Sequence, residues 1–169
     1  MKNIYAIYKK SVKMLENIGI KTGCVREVKI NAHMHDRWGT CRRVLTDTGE
    51  CFEIELSENL LDDELSDVPA ETTMLHELLH TCGDCMNHGY KWKKLAEKVN
   101  KYYGCDIKRK GSYESFGIKD PRESQWKYMV VCSECGAVIH RIKKSNVIKY
   151  PYLYMCAKCG GTLKNTECA

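Results

Sequence analysis

The chain has 169 residues, 43% of them apolar and 29% charged, with a formal net charge of +5. That length suits one domain, or one domain with a small module, and the balance is that of an ordinary soluble globular protein. It excludes a membrane-spanning helix, because no apolar run approaches the roughly 20 residues that one needs. The opening MKNIYAIYKKSVKML is too polar and too often interrupted by Lys for a secretory signal, so a cytoplasmic protein without membrane association is expected, as a monomer.

Apolar positions Ile4, Ile7, Tyr8, Val12, Leu15 and Ile18 recur at intervals of three and four. They predict an amphipathic helix over 2–18 closed by Gly19. Val25, Val28 and Ile30 are β-formers, and the run Arg37 to Leu45 reads as a strand. Asp47-Thr48-Gly49 has turn chemistry. Phe52, Ile54 and Leu56 alternate with Glu53 and Glu55, as in a half-buried strand; the last two strands are expected to pair as a hairpin. Residues 57–67 read as an acidic loop or short helix. Asp67 is a fitting N-cap, with Pro69 in the first turn of a helix that runs to about Cys82 and stops at Gly83. A second helix is expected from about Gly89 to Tyr103, apolar through Trp92, Leu95, Ala96, Val99 and Tyr103, ending at Gly104. Residues 110–125 show little apolar periodicity and read as a linker. Residues 126–169 read as four short strands separated by Cys-rich turns. The expected organisation is therefore a first domain over 1–109, a linker over 110–125 and a small module over 126–169.

The first of the two central helices carries His76-Glu77-Leu78-Leu79-His80. Residues four apart share one helix face, so His76 and His80 can offer two imidazole nitrogens to one metal ion. Glu77 lies beside them, placed to activate a zinc-bound water as general base. This is the H-E-x-x-H pattern of zinc peptidases. Such a site uses three protein ligands and one open position. His88 is the best candidate for the third, eight residues past His80 and beyond a turn at Gly83-Asp84; Glu71 and Asp84 compete less well. Cys82 and Cys85 fall inside that turn. They can shape it, bridge as a disulfide, recruit a second metal or compete for the first. Of the flanking pair His33 and His35, one can approach the cleft, or both can be exposed polar residues. No oxyanion stabiliser is legible.

The chain has eleven cysteines, and six of them fall into C-x-x-C pairs. Cys132, Cys135, Cys156 and Cys159 have the spacing of a four-thiolate structural zinc site, each pair followed by a glycine (Gly136, Gly160) that lets the backbone turn tightly around the sulfurs. Four thiolates close the tetrahedron against substrate. A module of this size lacks an adequate core, so metal binding supplies its folding energy. Charge is unevenly spread: residues 1–88 carry 10 Lys/Arg against 15 Asp/Glu, and residues 89–169 carry 17 against 7. The basic half points to a polyanionic partner, with DNA the leading candidate. Lys108, Arg109, Lys110, Arg141, Lys143 and Lys144 are the candidate nucleic-acid contacts, and Tyr150, Tyr152 and Tyr154 suit base stacking.

Taken together, HELLH, His88-Gly89 with Trp92 four residues after the His, and Arg37-Trp38-Gly39-Thr40-Cys41 upstream resemble the SprT-like zinc metalloproteases, which include Spartan, the DNA–protein crosslink protease. The resemblance covers about residues 1–105, and many members carry a C-terminal zinc ribbon. It implies an α+β fold: a minimal zincin-like domain with an N-terminal helix, a small antiparallel sheet and two metal-bearing helices, plus a small β zinc ribbon. It further implies a metalloendopeptidase with one catalytic zinc on His76, His80 and His88, one structural zinc on the four ribbon cysteines, and a protein substrate held at or near nucleic acid by pairing with an edge strand. A non-catalytic, zinc-dependent nucleic-acid-binding or regulatory module is the competing reading. Retention of Glu77 weighs against it, because a purely structural zinc needs no base.

Overall fold

The computed structural model describes residues 1–34, 37–47, 49–118 and 125–166. His35 and Cys168 lie outside the described residues. The chain divides into two compact units, Met1–Ile118 and Lys119–Ala169.

In the first unit, helix α1 spans Ile4–Asn17. Its N-cap is Asn3, whose side chain accepts from the N–H groups of Tyr5 and Ala6 at 3.0 and 3.1 Å. Gly19, in the left-handed region at φ 70°, ends it as expected. Strands β1 (Val25–Asn31), β2 (Gly39–Thr46) and β3 (Gly49–Ser57) follow. β2 and β3 form the expected antiparallel hairpin, Thr46 facing Gly49. The sheet is not antiparallel throughout, however. β3 is its centre and β1 joins β3 in parallel, giving the order β1-β3-β2. Central position also explains why β3 is more buried than its alternation suggests. Phe52, Ile54 and Leu56 face the core, while Glu53, only 8% exposed, is held by Arg42 and by Arg26 at 3.5 Å.

Helix α2 spans Val68–His80 with Pro69 in its first turn. Asp67 occupies the N-cap position but makes no capping hydrogen bond; its carboxylate meets Lys2 at 3.3 Å instead. Met74, Leu75, Leu78 and Leu79 are fully buried, so α2 runs through the core rather than along its surface. It packs against α1 through Ile4, Ile7 and Leu15, and against the sheet through Ile54 and Leu56. Helix α3 spans Tyr90–Tyr103, capped by Gly104 at φ 66°. Trp92, Ala96 and Val99 face inward. The tight turn between α2 and α3 takes its left-handed residue at Asp84, φ 58°, not at Gly83. An Asp84–Lys91 ion pair at 2.8 Å spans the turn.

Part of the segment expected as a linker belongs to this unit. Trp38 Nε1 donates to the Gly111 carbonyl at 3.3 Å, and the rings of Tyr113 and Phe116 pack edge-on against Trp38 at 4.6 and 5.2 Å. Aromatic burial outweighs the polar composition that reads as linker.

The second unit is a three-stranded antiparallel sheet in the order β5-β4-β6: β4 Tyr128–Cys132, β5 Val138–Arg141 and β6 Leu163–Thr166. The fourth expected strand is replaced by a short helix, α4 (Asn146–Lys149), and a 3-10 turn at Pro151–Leu153. Pro151 has no N–H for a ladder and pre-sets the turn. Val130, Ile148 and Leu163 form a small core around Cys132 and Cys156.

Candidate metal centres and the cleft

The three histidines converge. His76 Nε2 lies 3.3 Å from His80 Nε2 and 2.9 Å from His88 Nε2. The hydrogen bonds on the other ring nitrogens define what those Nε2 atoms are. His76 Nδ1 donates to the Lys108 carbonyl at 2.9 Å, and His80 Nδ1 donates to the Cys85 carbonyl at 2.7 Å. A carbonyl only accepts, so both rings carry their proton on Nδ1 and present a bare lone pair at Nε2. Lone pairs converging at this range repel unless a cation lies among them. Tetrahedral zinc with Zn–N bonds of roughly 2.0–2.1 Å gives N···N separations of ~3.3 Å; the His76–His80 pair has that spacing and the His76–His88 pair is closer, and a three-imidazole donor set is one that zinc takes. Burial and mutual repulsion with His80 and His88 push His76 down to about 3, and burial lowers His80 and His88 also. All three rings are thus neutral and ligand-competent near pH 7. Beneath them lies Trp92, 3% exposed, with ring centroids 4.7, 5.6 and 4.6 Å from His76, His80 and His88.

Glu77 is 5% exposed, and burial pushes its carboxyl up to about 8. Its seat explains Gly39. A Cβ on Gly39 would lie 2.7 Å from Glu77 Oε1 and 2.9 Å from its Cγ. Only glycine at the start of β2 leaves room for this carboxylate. Gly39 and Glu77 line a cleft of about 620 Å³ together with the three histidines, Arg37, Trp38, Cys41 and residues 104–111.

Glu71 and Asp84, the weaker ligand candidates, are engaged elsewhere, with Lys10 and Lys91. Cys82 and Cys85 are buried in the core and belong to no metal-ligating group among the described residues. What the turn contributes to the site is the Cys85 carbonyl. His33 is exposed. Lys108, Arg109 and Lys110 border the cleft, and the Arg109 charge helps hold His88 low. The carbonyl acceptors of Lys108 and Cys85 carry no residue-type signal and are invisible to sequence reading. Gly39 did carry one, since a glycine inside a strand marks a close approach.

In the second unit the four thiols cluster, Cys132 Sγ to Cys159 Sγ at 3.5 Å and Cys135 Sγ to Cys156 Sγ at 3.6 Å. Gly136 and Gly160 take left-handed φ values of 69° and 76°. Their N–H groups close the knuckles onto the Cys132 and Cys156 carbonyls at 3.1 and 2.8 Å. Backbone N–H groups of Lys158 and Cys159 hold Cys156 down to about 7, and those of Cys135 and Glu134 hold Cys132 low. Zn–S bonds of roughly 2.3 Å give tetrahedral S···S separations of ~3.8 Å, so this thiolate cage also fits zinc. Arg141, Lys143 and Lys144 are exposed on this unit, as are Tyr150, Tyr152 and Tyr154.

The first unit is thus a mixed helix-and-sheet domain with a three-histidine metal-ligating group, followed by a unit with a four-cysteine cluster compatible with a zinc ribbon. Residues 8–111, more than half of the chain, match the SprT-like family, and the chain belongs to that family. No curated protein and no solved structure matches it. No helix among the described residues is long and apolar enough to cross a membrane.

Proposed function

We propose that the chain is a zinc-dependent metalloendopeptidase with a zincin-like first domain, cleaving proteins bound to or near nucleic acid. The observation that carries this reading is the convergence of three imidazole Nε2 atoms, two of them shown as bare acceptors, in a cleft that also holds the buried Glu77 carboxyl. Zinc held by His76, His80 and His88 would supply a Lewis acid for the scissile carbonyl and a more acidic water. Glu77 takes the proton of the attacking water and passes it to the leaving amine nitrogen. Its raised proton affinity, near neutrality, suits a group that must both accept and release a proton. β2 is an edge of the sheet and its first residues line the cleft. An extended substrate chain adds to that free edge through backbone hydrogen bonds, which accommodates many sequences. The four-cysteine zinc is structural.

The nucleic-acid part of the reading rests on exposed cations and aromatics. Arg141, Lys143 and Lys144, with the tyrosines of 150–154, offer phosphate contacts and stacking faces, and Lys108, Arg109 and Lys110 extend positive charge along the cleft.

The test compares wild type with Glu77→Gln for self-cleavage and for cleavage of DNA-binding proteins, with and without single- and double-stranded DNA. Chelator-sensitive cleavage by wild type alone is expected, increasing with DNA. Equal, chelator-insensitive signals in both proteins would refute the peptidase and favour a binding module. Cleavage indifferent to DNA would remove only the nucleic-acid coupling.

A further inference from the structure

His76 and His80 are oriented in different ways. The acceptor for His80 Nδ1 is the Cys85 carbonyl, five residues on and within the same turn. The acceptor for His76 Nδ1 is the Lys108 carbonyl, supplied from beyond the far end of α3. That carbonyl belongs to an irregular segment, Ile107–Gly111, whose own strand or helix ladder does not hold it. Two side chains hold it instead. At one end Asn100 of α3 grips Ile107 on both sides, its Oδ1 accepting from the Ile107 N–H at 2.8 Å and its Nδ2 donating to the Ile107 carbonyl at 3.1 Å. The Ile107 side chain is sunk in the core at 4% exposure. At the other end Trp38 Nε1 donates to the Gly111 carbonyl, and Trp38 packs against Tyr113 and Phe116. Gly111 is pressed so closely that a Cβ there would lie 2.6 Å from the Phe116 ring.

We infer that Ile107–Gly111 is a strap anchored by Asn100 and Trp38 whose task is to aim His76 at the metal. Trp38 and Asn100 are positioning residues acting through the Lys108 carbonyl. A hydrogen bond of this kind fixes the imidazole tautomer and ring orientation, and losing such partners typically costs ~10–100-fold in metal affinity. The carbonyl itself cannot be mutated, but its anchors can. The inference rests on His76 being a metal ligand and does not need the peptidase reading to hold.

The experiment measures zinc affinity of the full chain by competition with a chromophoric chelator. It compares wild type, Trp38→Phe, Trp38→Ala and Asn100→Ala, with a thermal melt of each. Trp38→Ala and Asn100→Ala should each weaken the histidine site about tenfold or more. Trp38→Phe keeps a packing ring but loses the N–H, and should lie between them and wild type. The four-cysteine site serves as an internal control and should be unchanged. The His76 Nδ1–H resonance, held by the Lys108 carbonyl in the zinc-loaded wild type, should be lost or exchange-broadened in the weakened variants, which a general loss of packing elsewhere would not cause. Folded Asn100→Ala and Trp38→Phe proteins that bind zinc like wild type would overturn the inference, even if Trp38→Ala fails to fold. Absence of cleavage by a wild type that binds zinc tightly would instead refute the peptidase.

Discussion

Replacing Gly39 by Ala tests how the β2 strand and the Glu77 carboxylate, the proposed general base, depend on each other. The new Cβ would stand 2.7 Å from Glu77 Oε1, 2.9 Å from its Cγ and 3.0 Å from Thr73 Cγ2. Ordinary contact begins at about 3.4 Å, so Glu77 Oε1 and β2 must part by about 0.7 Å. Neither side has slack: Glu77 is 5% exposed and its neighbours Leu75 and Leu78 are fully buried. Overpacking of this kind costs about 1–3 kcal/mol. For a unit of this size that lowers Tm by roughly 4 °C per kcal/mol. The kinetic effect should be larger than the stability effect. A catalytic group misplaced by ~1 Å loses ~100-fold in rate, so a displacement of about 0.7 Å should lower kcat by roughly 10–100-fold. The assay is chelator-controlled cleavage of an unstructured protein substrate, with Tm and zinc content measured on the same preparations. A Glu77→Gln, Gly39→Ala double variant should be no slower than Glu77→Gln alone, because the glycine acts through the carboxylate. A Gly39→Ala protein with kcat within about twofold of wild type and unchanged Tm would refute the reasoning.

Burial raises Glu77 from its ordinary value to about 8, so in the metal-free chain the folded state holds a proton that the unfolded state has released. Stability from this group is therefore full below about pH 4.5 and is lost as pH rises toward about 8. His76, depressed to about 3 from 6.5, acts in the opposite direction below pH 6.5. Between pH 6.5 and 8 Glu77 dominates, and metal-free wild type should lose about 2 kcal/mol relative to Glu77→Gln; parallel denaturant curves across that window would exclude this. Cys156→Ser should reduce bound zinc from about two ions per chain to about one and unfold the second unit, with the histidine site still loaded, as read by metal analysis and proteolysis. Lys143→Glu with Lys144→Glu should weaken single-stranded DNA binding and lower the slope of log K against log salt by roughly one for each phosphate no longer neutralised; an unchanged slope would remove these residues from the interface.

The helices were legible because their buried faces repeat every three or four residues: α1, α2 and α3 lie within a few residues of where periodicity puts them. The histidine set was legible for a related reason, since helix geometry brings His76 beside His80 and a short turn returns His88. The parallel pairing of β1 was not. Two strands of similar pattern pair in either direction, and no local pattern chooses between them. The second unit's fourth strand failed because Tyr and Leu at 150–154 look β-forming, while Pro151 and the knuckle geometry impose a turn. The stretch 110–118 looked like a linker because it shows little apolar periodicity, and its two aromatics, Tyr113 and Phe116, have no local pattern around them. Their partner, Trp38, lies 73 residues from Gly111 in sequence, and no local pattern announces such a contact.

By itself, then, the sequence singled out which side chains could hold a metal. Imidazoles and thiolates are chemically distinctive, and their spacings of four positions on a helix and three around a knuckle are short enough to be geometric. The tertiary structure alone decided how those side chains are aimed and seated. The Lys108 and Cys85 carbonyls orient His76 and His80, Asn100 and Trp38 anchor the strap that presents one of them, and Gly39 clears the space that Glu77 fills. Backbone carbonyls are common to every residue and absent side chains leave only space, so these contributions become visible when distant segments meet.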